Sequence, residues 1–331
     1  MSSAARRLPC RLHYYRRICA SYLTAQPSQL TFWHERPERN PNASSGELGE
    51  YYMVFGSKAG YPGPYDRDSV PLLDYRGQLG LQYNPIAISQ YALGNYNLYC
   101  RLRDPHRLRR FLAAADWLVR NLEQNSAGLW VWNHHFDWEY RTPLRAPWYS
   151  GLAQGQGISM LTRAHRATGE QRYIQAARLA FAAFQHCVAN GGVCFEDAEG
   201  NVWIEEYIVD PPTHILNGFI WAAWGIYDYK LATGDAYAAR LWDAAIQTLR
   251  SNLHLYDAGY WSLYEQSGTR MKMLASPFYH TLHIEQLCIL YWLTGEEVFK
   301  AYAERWRAYR ADGIKRMRAL IHKSLFKLCY Y

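Results

Sequence analysis

The sequence predicts a mainly α fold: an incomplete (α/α) toroid of about four helical hairpins, with short β-hairpin connections at the active-site rim. Three observations carry that expectation. Four stretches resemble one another, CRLRDPHRLRRFLAAADWL, RATGEQRYIQAARLAFAAF, LATGDAYAARLWDAAIQTL and WLTGEEVFKAYAERW, and internal similarity at a fixed period marks a repeat architecture. The helices preceding them also match, polar where they begin and apolar toward their ends. Aromatic, strand-like stretches follow the first three repeats: GLWVWNHHFDWEY, GVCFEDAEGNVWIEEY and GYWSLYEQS. A ring of hairpins whose inner helices open at the rim where these connections converge satisfies all three; a helical bundle without a cleft is the competing reading.

Residues 1–20 carry five Arg and no acid and read as a basic N-terminal tail, without the continuous apolar run of a secretory signal. Residues 21–80 contain SQLTFWHERPERN and the Gly/Pro/Tyr-rich GSKAGYPGPYDRDSVPLLDYRG, a covering segment of loop and short strand. The toroid spans 81–310. Its inner helices are NPIAISQYALGNYNLY, SGLAQGQGISMLTRAH, THILNGFIWAAWGIYDY and FYHTLHIEQLCILYWL. Each outer helix is opened by an acid, Asp104, Glu170, Asp235 or Glu296, at intervals of 66, 65 and 61 residues. These acids complement the positive helix N-terminus, and Gly169, Gly234 and Gly295 suit the left-handed residue that closes the helix before. Residues 311–331 read as a basic C-terminal tail.

Aromatic residues make up 16% of the chain, with 13 Trp and 28 Tyr, a composition suited to a cleft that stacks sugar rings. The net charge of +7 belongs to the ends: residues 1–20 contribute +5 and 305–331 contribute +7, leaving 21–304 at −5. Such ends are either solvated or drawn to anionic membrane lipids, nucleic acid or another polyanion. Seven cysteines without a CxxC pair argue for reduced thiols, for which a reducing cytoplasm is the simplest compartment.

The rim holds the candidate chemistry. Glu205, Glu206 and Tyr207 precede an inner helix, with Pro211 and Pro212 forcing an extended entry. Regular alternation sends Glu205 and Tyr207 to one face and Glu206 to the other, so the pairing of Glu206 with Tyr207 requires a bend. Tyr264 lies in the matching connection of the next repeat, and Tyr279 and His280 precede the fourth inner helix. A phenol is a weak base unless its phenolate is stabilised, and Glu206 is placed to act as base or to hold its proton. Substrate contacts are expected from Glu205, Gln154, Gln156, Asn217, His280 and His283, with Arg163, Arg270 and Lys272 as cations for an anionic substrate. His280 and His283 have the i, i+3 spacing of metal ligands but no third partner, which favours hydrogen-bonding roles. Of His134 and His135 at most one faces the groove, with Asp137 to orient it. No phosphate-binding, dinucleotide or zinc-protease motif is present.

YNPIAISQYALGNYN, WYSGLAQGQGISMLTRAH, WIEEYIVDPPTHILNGFIWAAWGIYD, LYDAGYWSLYE and YHTLHIEQL, in this order, resemble the C-terminal domain of the D-glucuronyl C5-epimerases of heparan sulfate and heparin biosynthesis, from about Val70 to Tyr309. The resemblance implies an incomplete (α/α) toroid without the family's β-rich N-terminal domains. It implies that Tyr207, Tyr264 and Tyr279 act at the active site, with Glu206 as the adjacent acid. In the family the second tyrosine is followed closely by an Arg; here the order is YEQSGTR, with a shorter interval to Tyr279.

The implied activity is conversion of D-glucuronate to L-iduronate in a polysaccharide by C5 proton abstraction and reprotonation from the opposite face, with no cofactor and no metal. A polysaccharide lyase that begins with the same proton abstraction, and a non-catalytic glycan-binding toroid, are the alternatives. The expected partner is a uronate-containing polysaccharide, of bacterial capsular or exopolysaccharide type, and not nucleic acid. The basic ends suggest a peripheral membrane contact, and the oligomeric state is open.

Overall fold

The computed structural model describes residues 32–33, 36–75 and 79–330 of the chain. The expected N-terminal tail, residues 1–20, lies outside the described residues. Each repeat is a helical hairpin. In chain order α1 is Gly56–Ala59, and the hairpins are α2 (Pro85–Leu102) with α3 (Pro105–Arg120), α4 (Gly151–Thr168) with α5 (Gln171–Phe181), α6 (Leu216–Thr233) with α7 (Ala236–Asn252), and α8 (Pro277–Thr294) with α9 (Glu297–Ala311); α10 is Gly313–Tyr330.

Sequence separates inner from outer helices. In α6 every residue from Leu216 to Tyr229 is buried, whereas α3 and α7 bury one stripe and expose the other, the distinction between a helix apolar all round and an amphipathic one. The inner helices pack in series, α2 on α4, α4 on α6 and α6 on α8, and no comparable packing joins α8 to α2. The toroid is therefore incomplete. The α4–α6 contact is made through glycine: a Cβ on Gly155 would lie 2.5 Å from Ala222 Cα, closer than any side chain allows.

The turns follow the sequence in detail. Gly169, Gly234 and Gly295 take φ of 76°, 69° and 73°. The Thr before each glycine accepts from the backbone N–H of the following acid, at 3.1 Å for Glu170 and 3.2 Å for both Asp235 and Glu296. Asp104 and Asp235 cap their helices, accepting from His106 N and Ala238 N at 2.8 Å. Glu170 and Glu296 occupy the same position without a capping bond. Their side chains, one methylene longer, pair with Arg172 at 2.7 Å and Arg250 at 3.1 Å, in keeping with the short-side-chain preference of the N-cap.

Two of the three connections are β-hairpins. β3 (Glu123–Gln124) pairs with β4 (Trp130–Val131), and β5 (Cys194–Glu196) pairs with β6 (Val202–Ile204), Phe195 opposite Trp203. The third, around Trp261, has only the isolated bridges Asp257 to Ser262 and Leu263 to Leu274. The covering segment packs against the inner helices. At its C-terminal end β1 (Leu73–Asp74) pairs with β2 (Leu81–Gln82), which lies just beyond it. Asn97 of α2 accepts from Tyr51 N at 2.7 Å and donates to Met53 O at 2.8 Å, while Arg39 reaches Glu285 of α8 at 2.7 Å. The segment thus contacts both α2 and α8, the inner helices that do not pack on each other, as well as α4 and α6.

Residues 313–330 correct the expectation of a loose C-terminal tail: they form α10, an 18-residue helix. Ala319, Leu320, Lys323 and Phe326 are buried at helical spacing, a pattern hidden by the density of Lys and Arg around it. Cys100, Cys187, Cys194, Cys288 and Cys329 are free thiols.

Candidate active site

A cavity of about 230 Å³ opens where the inner helices begin. The helices contribute Gln90, Leu152, Asn217, Trp221, Phe278, Tyr279 and Leu282; the rim contributes Phe136, Trp138, Trp148, Glu206 and Tyr207; the covering segment adds Glu38, Met53, Phe55 and Lys58. The lining is mostly apolar and aromatic, with a few polar groups among it, the usual character of a small-ligand site.

Strand β6 ends at Ile204, and the chain bends at Glu206 and Tyr207. That bend resolves the alternation: Glu206 and Tyr207 both line the cavity, and Glu205 turns away. The Glu205 carboxylate is 1% exposed, contacts His214 Nδ1 at 2.5 Å, and accepts from His214 N at 3.1 Å and Thr213 N at 3.3 Å. It holds the turn at His214, whose φ is 46°. The bend lies at the glutamates themselves, before Pro211 and Pro212. Glu205 is not a cavity residue, a correction to its expected substrate contact.

Glu206 is buried, with Oε2 accepting from Asn217 Nδ2 at 3.4 Å. Burial pushes its carboxyl up to about 8; a hydrogen bond from Tyr207 opposes this, and the negative charges of Glu265 and Glu205 add to it. Tyr207 packs its ring on Tyr140 at 4.8 Å and on Trp148 at 5.8 Å. Tyr279 stands edge-on to Tyr264 at 4.9 Å. Desolvation raises all three phenols above the ordinary range, and the charge of Glu206 raises each further. The four expected catalytic groups therefore form one electrostatically coupled cluster. Tyr264 is its rear member: it packs behind Tyr279 and does not line the cavity.

Other expected substrate contacts sit in the supporting layer. Arg163 is not a carboxylate-binding cation of the cavity, a correction to its expected role. It is fully buried, donates to both Asp228 oxygens at 2.6 and 3.1 Å and to Gly49 O at 2.9 Å, and fixes the covering segment to α4 and α6. Arg270 and Lys272 are exposed and lie outside the cavity. Gln154 has its amide consumed by Trp132 N, Ala180 O and Trp130 O, at 2.9, 3.0 and 3.2 Å. Gln156 accepts from Gln90 Nε2 at 3.1 Å, one layer behind the lining.

His280 and His283 are buried and both meet Ser262 Oγ, at 2.7 and 3.0 Å. Ser262 N donates to His280 Nδ1 at 3.2 Å, so Nε2 carries the proton and donates to Trp306 O at 3.0 Å. His280 stacks on Trp261 at 3.8 Å, and burial pulls it down to about 3. Both rings are neutral scaffolding for the third connection. His134, stacked on Trp148 at 3.8 Å and likewise lowered to about 3 by burial, backs the rim. His135 is exposed against Glu123, and Asp137 bonds Arg145 and Ala146 N instead of a histidine. Among the described residues, no three His, Cys, Asp or Glu side chains are grouped to hold a metal.

Sequence reasoning missed two features. Tyr140 donates to Glu265 Oε2, and Glu265 pairs with Arg141 at 2.7 Å, a buried relay directly behind Tyr207. Glu265 follows Tyr264, and Tyr140 ends the same aromatic stretch as His134, so both were adjacent to residues already singled out. Lys58 is, among the described residues, the one basic side chain lining the cavity. Its ammonium donates to Phe32 O at 2.8 Å and lies 4.5 Å from the Phe32 ring centre. Nothing in GSKAGYPGPYD distinguishes it from a surface lysine.

Comparisons with known proteins bear on the family of the chain. A family model described as the D-glucuronyl C5-epimerase C-terminus matches residues 124–308, more than half of the chain. An uncharacterized protein of Methanocaldococcus jannaschii is 30% identical over 245 residues, covering 69% of this chain and 78% of that protein. The D-glucuronyl C5-epimerase of Caenorhabditis elegans is 34% identical over 218 residues, covering 60% of this chain. The aligned region is 34% of the worm enzyme, about a third of its length. Among solved structures, cellobiose 2-epimerase from Spirochaeta thermophila is similar with a TM-score of 0.47, 14% identity and coverage of 67% and 57%. An unsaturated glucuronyl hydrolase specific for heparin is similar with a TM-score of 0.44, 10% identity and coverage of 92% and 81%.

Proposed function

Because the chain belongs to the D-glucuronyl C5-epimerase C-terminal family, we propose that it inverts C5 of glucuronate residues within a polysaccharide. The observation that carries this reading is the turn of Glu206 into the cavity beside Tyr207, electrostatically coupled to Tyr279. Of these groups, Glu206 alone is brought toward neutrality, up to about 8, the range in which a general base is effective. The phenols, raised by burial, stay protonated and serve as donors.

In the proposed step the ionised Glu206 takes the C5 proton. The C5–H bond breaks, an O–H bond forms on Glu206, and the electron pair passes into the substrate carboxylate as an enediolate. Tyr279 then delivers its phenolic proton to the other face of C5, restoring the carboxylate in inverted configuration. Tyr207 holds Glu206 by its hydrogen bond, and Tyr264 supports Tyr279. Lys58 is the proposed partner of the substrate carboxylate, where negative charge accumulates.

Incubation of heparosan, a glucuronate-containing polymer, with the protein in deuterated water tests this. Deuterium at C5 with an intact chain is the expected result. An unsaturated product absorbing in the ultraviolet would assign the site to β-elimination, and no exchange with measurable binding would make it a glycan-binding module.

A further inference from the structure

Helix α10 carries two apolar faces. The inward one is secured by Lys323 Nζ donating to Leu274 O at 2.5 Å and by His322 meeting Tyr260 OH at 2.8 Å. The outward one is Ile314, Met317, Ile321, Leu325 and Leu328, between 45 and 83% exposed. At successive spacings of three and four these residues form a single stripe, about 21 Å long at the helical rise. Isolated exposed apolar residues are ordinary, but a continuous stripe marks an interaction surface.

Charge says what covers it. Residues 313–330 contain no Asp or Glu; of their five Lys or Arg, Lys323 is turned inward, Lys315, Arg316 and Lys327 are half-buried and Arg318 is exposed. Exposed Arg270 and Lys272 adjoin the helix, the latter through its carbonyl, 2.8 Å from His322 Nε2. A second copy packed about a two-fold axis would set these cations against their own counterparts. A soluble polyanion would meet the cations and leave the stripe in water. An anionic bilayer satisfies both, taking the apolar stripe into its interface and the cations onto its headgroups. Among the described residues no helix is long and apolar enough to cross a membrane, so the contact is made along the surface.

We propose that α10 docks the protein on anionic phospholipid, lying in the plane of the interface with Ile321 and Leu325 at the centre of the inserted stripe.

The full chain, with residues 1–20 retained, is sedimented with vesicles of phosphatidylcholine alone and of phosphatidylcholine and phosphatidylglycerol in equal parts. Binding to the mixed vesicles only is expected. Ile321→Ser combined with Leu325→Ser leaves charge unchanged and should lower partitioning at least about tenfold. Circular dichroism and C5 exchange should match wild type, since both side chains are about half exposed and neither lines the active-site cavity. Replacing Arg318 with Ala should lower binding to mixed vesicles while leaving the stripe intact. Three results would overturn the proposal: equal binding to both vesicle types, wild-type partitioning by the Ser variant, or a lipid-free dimer that the Ser variant converts to monomer, which would make the stripe an interface between copies.

Discussion

Glu206 rests against Gly218: a Cβ at residue 218 would lie 2.6 Å from Glu206 Cβ and closer still to its carboxylate oxygen. The first turn of α6 thereby fixes where the carboxyl proposed as base sits. Gly218→Ala adds a good helix former, yet it must push Glu206 out of place. Exchange at C5 should fall about a hundredfold, the effect of displacing a reacting group by roughly 1 Å. Thermal unfolding of the variant should show a loss of about 1–3 kcal/mol from overpacking, too small to unfold the protein at assay temperature.

The two neighbouring glutamates should separate cleanly. Glu206→Gln should abolish deuterium exchange while leaving the fold unchanged or slightly stabilised, because it removes a desolvated acid. Glu205→Gln should do the reverse, costing about 1–3 kcal/mol by disturbing the His214 turn, with exchange lost only in proportion to local disorder. Equal kinetic effects from the two variants would show that the bend at Glu206 does not select the base.

The pH dependence follows from Glu206. A base whose carboxyl is pushed up to about 8 is ionised only above that pH, so kcat/KM should rise tenfold per pH unit below 8 and level off above it. Stability should move the other way. The folded protein holds this proton between the ordinary value of 4.5 and about 8, and the unfolded chain does not. The contribution to stability is therefore full below 4.5 and is lost as pH rises toward 8. A kcat/KM profile flat from pH 6 to 9 would exclude Glu206 as the titrating base.

Arg163 and Lys58 offer a contrast between two buried cations. Arg163→Ala leaves Asp228 unpaired in the core and should cost about 3–5 kcal/mol, with KM unchanged in whatever fraction folds. Lys58→Gln should leave thermal stability nearly unchanged and lower kcat/KM about tenfold, since it removes one charge-assisted contact to substrate. A wild-type KM and kcat for Lys58→Gln would place the carboxylate elsewhere in the cavity.

Periodic features were the legible part of the sequence. The Thr-Gly-acid turns recur because each hairpin meets the same geometric demand, a left-handed closing residue followed by an N-cap, and local chemistry meets it the same way each time. Glu206, Tyr207 and Tyr279 were legible as cavity-lining residues because each lies at the entry to an inner helix, whereas Tyr264, read from the same kind of position, packs behind Tyr279. The layering of the site was not. Arg163, Gln154, His280 and His283 fall on inner helices like true lining residues, and only the packing of Asp228, Trp132 and Ser262 reveals that their hydrogen bonds are already consumed. Lys58 was missed for the converse reason: its role comes from where a loop crosses the ring, a long-range property absent from its neighbours.

One wall of the cavity, Met53, Phe55 and Lys58, comes from residues 36–75, while the acid and base groups come from residues 206–279. One wall of the cavity and the proposed acid and base groups are thus supplied by separate stretches of chain. Exchange of that strap with Lys58 retained should retune which uronate polymer is accepted while leaving the proton chemistry intact, so the division is a natural seam for diversification and for engineering.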